Sequence, residues 1–314
     1  MVGRIASISP VANSAWLAEV HLDLPTILLQ WAAGGLLFLW VTTRGRLVSL
    51  GYGWLLRGVF GLLAIGAFAA ELQAGHDGTG HLLLLIGAAG LVVSATVALV
   101  VSVTRRRAGV SAARAVQARS SERVAAMAGV GDGAPPNGMD RAEPTEWSGP
   151  EFPPVLDLAA PIFGAVGLIG AAVIAGGPMW LAIARLLIGA AFLGVVTDAM
   201  LLGHWYLTQP GLPREPIKEL VRWSAYVWPA EVVVMLLPPG MVGVLGGAHG
   251  DGYGGLLGWM WVVSAITTAL LLAVTWFALR ERFYSAVMAA TGLLYLAILT
   301  AAGTDLVARA VLAP

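Results

Sequence analysis

Long apolar runs recur along the whole sequence, and no other feature constrains the fold as strongly. A helix needs about 20 apolar residues to cross the hydrocarbon core of a bilayer, and these runs have that length. Because a backbone inside lipid must satisfy its own hydrogen bonds, we predict that each run forms an α-helix. The alternation of apolar and polar residues that marks outer-membrane barrel strands is not evident in the sequence. The predicted spans, by residue number, are 25–43, 53–72, 81–104, 154–176, 179–207, 220–243, 255–279 and 284–311.

The composition agrees with a membrane protein and argues against several functions. Of the 314 residues, 58% are hydrophobic and 11% are charged, whereas soluble domains have about 25% charged residues. The formal net charge of zero argues against a nucleic-acid partner. The sequence has no cysteine, which excludes disulfides, thiolate nucleophiles, Cys-ligated zinc and iron–sulfur clusters. We therefore predict an all-α, multi-pass protein that has the lipid bilayer as its main partner.

Basic residues occur in alternate loops between the predicted spans. The loops after the first, third, fifth and seventh spans contain arginine or lysine, and the loops after the second, fourth and sixth spans contain neither. In bacterial cytoplasmic membranes, loops rich in arginine and lysine stay on the cytoplasmic side. The pattern predicts a protein of the bacterial cytoplasmic (inner) membrane, with eight transmembrane helices and both termini on the extracytoplasmic side.

Two regions outside the spans divide the chain. Residues 1–24 are expected on the extracytoplasmic side, where part of this segment has the pattern of an interfacial helix. Residues 25–104 contain the first three spans. The long cytoplasmic loop 105–153 begins with an arginine-rich stretch that we predict to extend the third helix, and it continues as a flexible linker rich in proline and glycine. Residues 154–311 contain the other five spans, and 312–314 form a short tail.

Ionisable residues inside spans are costly to bury, and they mark functional or tightly packed positions. The fifth span contains Arg185, Asp198 and His204. Six residues turn a helix by about 600°, so Asp198 and His204 point to different faces and do not form a dyad. We expect Asp198 to have a partner on another helix, for which Arg57 is a candidate, and His204 to form a hydrogen bond at the cytoplasmic interface. The alternative for either residue is that it binds a proton or a ligand. His204 and His81 lie at opposite membrane faces, so no bis-histidine haem is expected.

Glu231 follows Pro229 near the middle of the predicted sixth span. A proline inside a helix frees a backbone carbonyl and can kink the helix, and a kink beside a carboxyl group is one way to form a polar cavity. Arg185, toward the outer half of the fifth span, is a candidate partner for this carboxyl. We predict that Glu231 handles protons or a ligand, and the alternative is a neutral hydrogen bond between helices.

Histidine and carboxylate side chains also gather in the predicted extracytoplasmic loops. The loop HDGTGH contains His76, Asp77 and His81, and the loop HGDG contains His249 and Asp251. Imidazole and carboxylate groups suit zinc or copper, but the spacing matches no established ligand pattern, and such residues beside glycine are ordinary in turns. The other interpretation is a polar vestibule or a surface for docking a partner.

The last predicted span contains the stretch AAGTDLVARAVL, in which Asp305 and Arg309 are one helical turn apart. This ending, together with the predicted helix count and orientation, resembles the eight-helix, quinol-oxidising anchor subunits of the polysulfide- and dimethyl-sulfoxide-reductase type. The resemblance covers helix count, orientation and this short segment. It implies a quinone headgroup on the outer side near Glu71, His81, Asp305 and Arg309, with an imidazole as hydrogen-bond donor and a carboxylate as proton acceptor.

These observations lead to two hypotheses about function. The first is a core or anchor subunit of a multi-subunit membrane complex in electron transfer, with a quinone or proton pathway and no catalytic centre of its own. The second is a proton-coupled secondary transporter in which Asp198 and Glu231 are the coupling residues. A membrane enzyme that acts on lipid ranks third, because no nucleophile or metal motif is evident in the sequence.

Overall fold

The computed structural model describes residues 23–105, 152–209, 212–238, 240–246, 253–281 and 283–312. All regular secondary structure in these residues is helical. The predicted interfacial segment before residue 23 lies outside the described residues, as do the predicted helical extension and linker over residues 106–151.

Eight long helices, numbered α1 to α8, make up most of the described chain. A 3₁₀ turn, Pro154–Leu158, leads directly into α4, and a short helix, Met241–Leu245, follows α6. The predicted spans agree with the helices to within a few residues, except at α6. The bounds are α1 Leu24–Thr43, α2 Leu50–Ala74, α3 Gly78–Thr104, α4 Ala159–Ala175, α5 Met179–Thr208, α6 Glu215–Leu236, α7 Leu256–Ala278 and α8 Tyr284–Leu312.

Seven of the described helices are long and apolar enough to cross a membrane. The mean hydropathy of their most apolar stretches ranges from 1.6 to 2.5. Large apolar side chains, among them Leu62, Val263 and Leu299, are exposed on their outer surfaces. Such surfaces are unfavourable in water and compatible with lipid tails. These findings support a multi-pass membrane protein embedded in a lipid bilayer.

Helix α6 is not among the seven, and the predicted span 220–243 was wrong at both ends. The helix ends at Leu236 because Leu237 precedes Pro238 and has an extended backbone, with ψ of 136°, the conformation that proline favours in the residue before it. Glu231, which was expected near the middle of this span, therefore lies five residues from the helix end. The helix also begins five residues earlier than predicted, and its first turns contain charged residues: Glu215, Lys218, Glu219 and Arg222.

The long helices form two four-helix bundles. In the first bundle α1 to α4 each pack on the next helix along the chain, and α4 also packs on α1. Helices α5 to α8 repeat this arrangement, and α8 packs on α5. The two bundles meet mainly through α1 and α5. Helix α1 is accordingly the most enclosed of the seven apolar helices, with 72% of its most apolar stretch buried.

Glycine residues allow the close approach of α1 and α5. A Cβ atom on Gly34 would overlap the backbone carbonyl of Ala190, and a Cβ on Gly194 would overlap the backbone of Gly34. Helices α3 and α4 meet in the same way at Gly87 and Gly167. Apolar burial gives little driving force between helices inside lipid, so close packing of small residues is a main source of association.

The two ends of the bundles differ in charge. At one end lie the connections α1–α2, α5–α6 and α7–α8 and the C-terminus of α3. We call it the arginine end, because the described residues there include Arg44, Arg46, Arg105, Arg214 and Arg280. The N-terminus of α1 and the C-termini of α2, α4, α6 and α8 surround a cavity at the opposite end. We call that end the cavity end.

A buried ion pair connects helices at the arginine end. Arg57 on α2 donates from Nε and Nη2 to the two carboxylate oxygens of Asp157, both at 2.8 Å, and each side chain is only 2% exposed. Thr43 donates to the same carboxylate at 3.1 Å, and Arg57 also reaches Ser102 at 3.4 Å. The expected pairing of Arg57 with Asp198 was therefore wrong. The partner is an acidic residue in the 3₁₀ turn just before α4.

Candidate functional site

Five polar side chains meet at the cavity end, and we call them the polar cluster. They are contributed by four helices of both bundles. Three of them, on α1, α6 and α8, are fully buried. The members are Gln30 on α1, Arg185 on α5, Glu231 on α6, and Asp305 and Arg309 on α8. The structure thus joins two predicted groups, the intramembrane pair of Arg185 and Glu231 and the acid–arginine ending of the last helix.

Asp305 and Arg309 form a two-point ion pair within α8. Arg309 donates from Nε to Oδ2 of Asp305 at 2.7 Å and from Nη2 to Oδ1 at 3.0 Å. Gln30 donates to the same Oδ1 at 3.3 Å from across the bundle interface. Paired donors of this kind orient a carboxylate and neutralise its charge. The other amide atom of Gln30, Oε1, is buried without a hydrogen-bond partner in the described residues.

Arg185 binds the end of helix α6. Its Nε donates to the carbonyl oxygen of Val234 at 3.0 Å, and its Nη2 donates to that of Leu237 at 2.9 Å. The last carbonyl groups of a helix have no partner within the helix and carry partial negative charge, so a cation there is favourable. Arg185 therefore fixes α6 against α5 and brings a positive charge to the wall of the cavity.

Glu231 is the acidic member of the cluster with unsatisfied hydrogen bonds. Its side chain is fully buried, and neither carboxyl oxygen has a hydrogen bond of ordinary geometry to the described residues. The charge that acts on it most strongly is that of Asp305, followed by those of Arg309 and Arg185. The predicted neighbourhood of Glu231 and Arg185 is thus present, although Arg185 directs its hydrogen bonds to backbone carbonyls. A carboxyl that is buried beside another carboxyl, as Glu231 is beside Asp305, is stabilised by binding a proton.

A glycine on α5 makes room for this cluster. A Cβ atom on Gly189 would overlap the amide of Gln30 and would lie 2.7 Å from Oδ1 of Asp305. Neither Gly189 nor Gln30 was predicted from the sequence to be a site residue. Gln30 had a visible signal, because it is a polar residue inside the first apolar run. Gly189 had none, because glycine is frequent in these helices and only the fold shows which one faces a polar group.

Two members of the polar cluster, Arg185 and Arg309, line a cavity of about 980 Å³. Both bundles contribute to its walls, which are mostly apolar and include Ile27, Ile174, Leu181, Leu186 and Met235. The charged or titratable residues that line it are Asp23, His76, Arg185 and Arg309. A cavity with apolar walls and a few convergent polar groups is the usual form of a small-molecule site. This one fits an amphipathic molecule whose head accepts hydrogen bonds.

A second group of polar residues, which we call the histidine cluster, lies between α2 and α3. The buried carboxylate of Glu71 is 2.7 Å from Nδ1 of His81 and 3.1 Å from Nδ1 of His76. His76 also lines the cavity, whereas Asp77 is exposed at the start of α3. The predicted grouping of Glu71 and His81 with Asp305 and Arg309 is thus resolved into two clusters at the same end.

The candidate metal ligands that lie in the described residues do not form a complete ligand set. In the part of the chain that the structure describes, no three histidine, aspartate or glutamate side chains are arranged to hold a metal ion. The candidates His249 and Asp251 lie outside the described residues.

Asp198 and His204 point in different directions, as their six-residue separation requires. His204 is exposed toward the arginine end of α5, and its Nδ1 is 3.0 Å from the hydroxyl of Tyr295. Asp198 is fully buried, and neither of its carboxyl oxygens has a hydrogen-bond partner in the described chain. Only the backbone carbonyl of Asp198 is engaged, by the hydroxyl of Tyr52 at 3.3 Å.

No family model, curated protein or solved structure matches this chain.

Proposed function

We propose that the protein is a core or anchor subunit of a membrane electron-transfer complex and that its cavity binds the headgroup of a quinone. The observation that carries this proposal is a mostly apolar cavity whose wall includes the guanidinium groups of Arg185 and Arg309, the latter held by the buried carboxylate of Asp305. Gln30 and Glu231, the other members of the polar cluster, are buried, and their oxygens Oε1 of Gln30 and Oε1 and Oε2 of Glu231 are unsatisfied. Native interiors rarely leave such atoms without water or a ligand.

The residues at the cavity suit the chemistry of a quinone. Its carbonyl oxygens need hydrogen-bond donors, which Arg309 and Arg185 supply at the polar wall. Reduction and oxidation of a quinone also take up and release protons, and a carboxyl group behind the two arginines, that of Glu231 beside Asp305, would exchange them. The ring and an isoprenoid tail would contact the apolar part of the wall, for example Leu181 and Met235.

The proposal includes a topology. We propose that α6 crosses the bilayer with the other seven long helices, which gives eight crossings and places both termini outside the bacterial cytoplasmic membrane. The arginine end then faces the cytoplasm, in agreement with the positive-inside rule. The cavity and its quinone would be on the extracytoplasmic side, where partner subunits that accept electrons would dock.

Binding of a short-chain quinone analogue to the purified protein in nanodiscs tests the proposal. With the analogue in its reduced, quinol form, we expect Glu231→Gln to weaken binding about tenfold, or ~1.4 kcal/mol, because the amide cannot accept a proton from the ligand. Glu219→Gln is the matched control, since Glu219 lies on the same helix near the arginine end and should leave affinity unchanged. Absence of binding to the unmodified protein, or equal affinities for both variants, would contradict the proposal.

A proton-coupled transporter is the second candidate function, and the buried carboxyl of Asp198 favours it. A carrier needs carboxyl groups inside the membrane that bind and release a coupled proton. Asp198 on α5 and Glu231 on α6 lie at two depths in the helix bundles, and their carboxyl oxygens have no hydrogen-bond partner of ordinary geometry in the described residues. If this is the function, the protein alone in proteoliposomes should drive solute uptake in response to a pH gradient. Asp198→Asn and Glu231→Gln should each abolish that uptake, and uptake that persists in both variants would exclude these residues as coupling sites.

A further inference from the structure

A second set of unsatisfied polar atoms lies far from the cavity. The two carboxyl oxygens of Asp198, Nε1 of Trp205 and Oγ of Ser49 are all buried, and none has a hydrogen-bond partner in the described part of the chain. Buried polar atoms of native proteins are almost always satisfied, by ordered water where no protein group is near. Four such atoms in one region are candidates to bind water, and we call this region the pocket.

Tyr52 connects these atoms into one pocket. Its hydroxyl donates to the backbone carbonyl of Asp198 at 3.3 Å, and its ring lies edge-on to the indole of Trp205, with 6.0 Å between ring centroids. Gly51, the neighbouring residue, faces the same indole. Ser49 precedes α2 by one residue, and its carbonyl accepts from the amide of Tyr52 at 3.2 Å. The pocket therefore runs between the first turn of α2 and the second half of α5.

The pocket begins at the arginine end. Ser49 belongs to the α1–α2 connection, which also contains Arg44 and Arg46. Asp198 lies ten residues before the end of α5, or about 15 Å deeper along the helix axis. Trp205 follows Asp198 by seven residues, so it lies on the same side of α5 and at a depth between Asp198 and the arginine end. These positions form a series of polar groups that begins at the arginine end and stops at a carboxyl group.

The surroundings of Asp198 favour a proton over a metal cation as its ligand. In the described residues no cationic side chain acts on Asp198, and Tyr52 is its titratable neighbour. Arg57, on the same helix as Tyr52, is fully engaged by Asp157. A buried carboxylate without a counter-charge is costly, and protonation removes that cost. The Trp205 indole adds an N–H donor, which would repel a metal ion and can hydrogen-bond water.

We propose that Asp198 is a proton-binding site that water reaches from the arginine end, past Ser49, Trp205 and Tyr52. The site is separate from the cavity, because Gly189, which faces Asp305, is nine residues away on the same helix. Each exchange moves one proton between water in the pocket and one carboxyl oxygen of Asp198. The proposal needs no ligand in the cavity, so it stands or fails apart from the quinone proposal.

Single cysteines test the water path, since the chain has none of its own. We expect Ser49→Cys and Tyr52→Cys to react with a charged, membrane-impermeant thiol reagent from the arginine end. Phe60→Cys is the matched control, because Phe60 is also fully buried on α2 but lies two turns deeper. Thiols react only as solvated thiolates, so we expect Tyr52→Cys to react about tenfold faster than Phe60→Cys. Equal rates, or labelling of Ser49→Cys and Tyr52→Cys only from the cavity end, would overturn the path. Ser49→Cys carries the test if Tyr52→Cys does not fold.

Infrared difference spectroscopy tests the bound proton. We expect the unmodified protein in liposomes to show a protonated-carboxyl C=O band that is lost in Asp198→Asn and kept in Glu231→Gln. The band should shift on transfer to D₂O, because water in the pocket exchanges the proton, and Asp198→Glu should move the band without removing it. No band lost in Asp198→Asn, no shift in D₂O, or a band that appears only when Na⁺ is removed would each overturn the proposal.

Discussion

Arg309 holds both carboxylate oxygens of Asp305, one turn earlier on α8, at 2.7 and 3.0 Å. Because Asp305 is fully buried, its charge is stable only with this partner and with the amide of Gln30. The pair places a neutralised, rigid acid–arginine unit beside the unpaired carboxyl of Glu231. Arg309 thus brings a rigidly held cation to the wall of the cavity, and a rigid group lowers the cost of ordering the site on binding.

This pair makes a clear prediction about stability. Asp305→Asn leaves Arg309 without its counter-charge, so we expect a loss of about 3 kcal/mol, the scale found when one partner of a buried ion pair is removed. Thermal unfolding in detergent measures it. Arg309→Gln should be similarly costly, and the double variant should lose much less than the sum. Additive losses would show that the two side chains do not stabilise each other.

Replacing Gly189 with alanine should weaken ligand binding without unfolding the protein. The methyl group added in Gly189→Ala would displace Gln30 and Asp305, and we expect the affinity for a quinone analogue to fall about tenfold. The control is Gly292→Ala on α8, a helical glycine whose Cβ would meet no neighbour within 4 Å. Binding that is unchanged in Gly189→Ala would place the ligand away from the polar cluster.

The contact between the two bundles predicts a much larger structural effect. In Gly34→Ala the added Cβ would overlap the backbone of Ala190, which cannot move aside as a side chain can, so α1 and α5 must separate. We expect a destabilisation of about 3 kcal/mol, at the upper end for overpacked cores. Gly61→Ala on α2, with open space around its Cβ, is the control. The fraction of monodisperse protein after heating compares them, and equal fractions would contradict the close crossing.

The ion pair of Arg57 and Asp157 should contribute to the stability of the fold and not to ligand affinity at the cavity. Asp157→Asn leaves Arg57 buried without its counter-charge and with one of its three hydrogen bonds lost, and we expect destabilisation of about 3 kcal/mol. Quinone-analogue affinity, measured at a temperature where the variant is folded, should stay as in the unmodified protein. A large change in affinity would mean that the two ends of the first bundle are coupled.

The sequence was sufficient to predict most of the helices but not how they pack. Apolar runs identify a helix because lipid imposes length and hydropathy, and seven helices confirm that prediction. The bounds of α6 were wrong because Pro238 ends the helix inside an apolar stretch. The arrangement of two bundles could not be predicted, since close packing through Gly34 and Gly194 leaves no periodic pattern in a sequence rich in glycine.

The site was predicted in parts. Asp305 and Arg309 are one turn apart on a helix, so their contact follows from local spacing. The approach of Glu231 and Arg185 to that pair depends on how α5, α6 and α8 pack, and spacing along the chain does not contain this information. Arg57 was assigned the wrong partner because Asp157 falls at the edge of an apolar run, where an acidic residue looks like part of a loop.

Photoaffinity labelling of the protein in nanodiscs with an azidoquinone, followed by peptide mapping, tests directly whether a quinone occupies the cavity. We expect label on the cavity-lining segments at the start of α1, the start of α5 and the end of α8, with displacement by excess unlabelled quinone. Label should fall strongly in Glu231→Gln and stay unchanged in Glu219→Gln. Label confined to other segments, or label that excess quinone does not displace, would show that the cavity is not a quinone site.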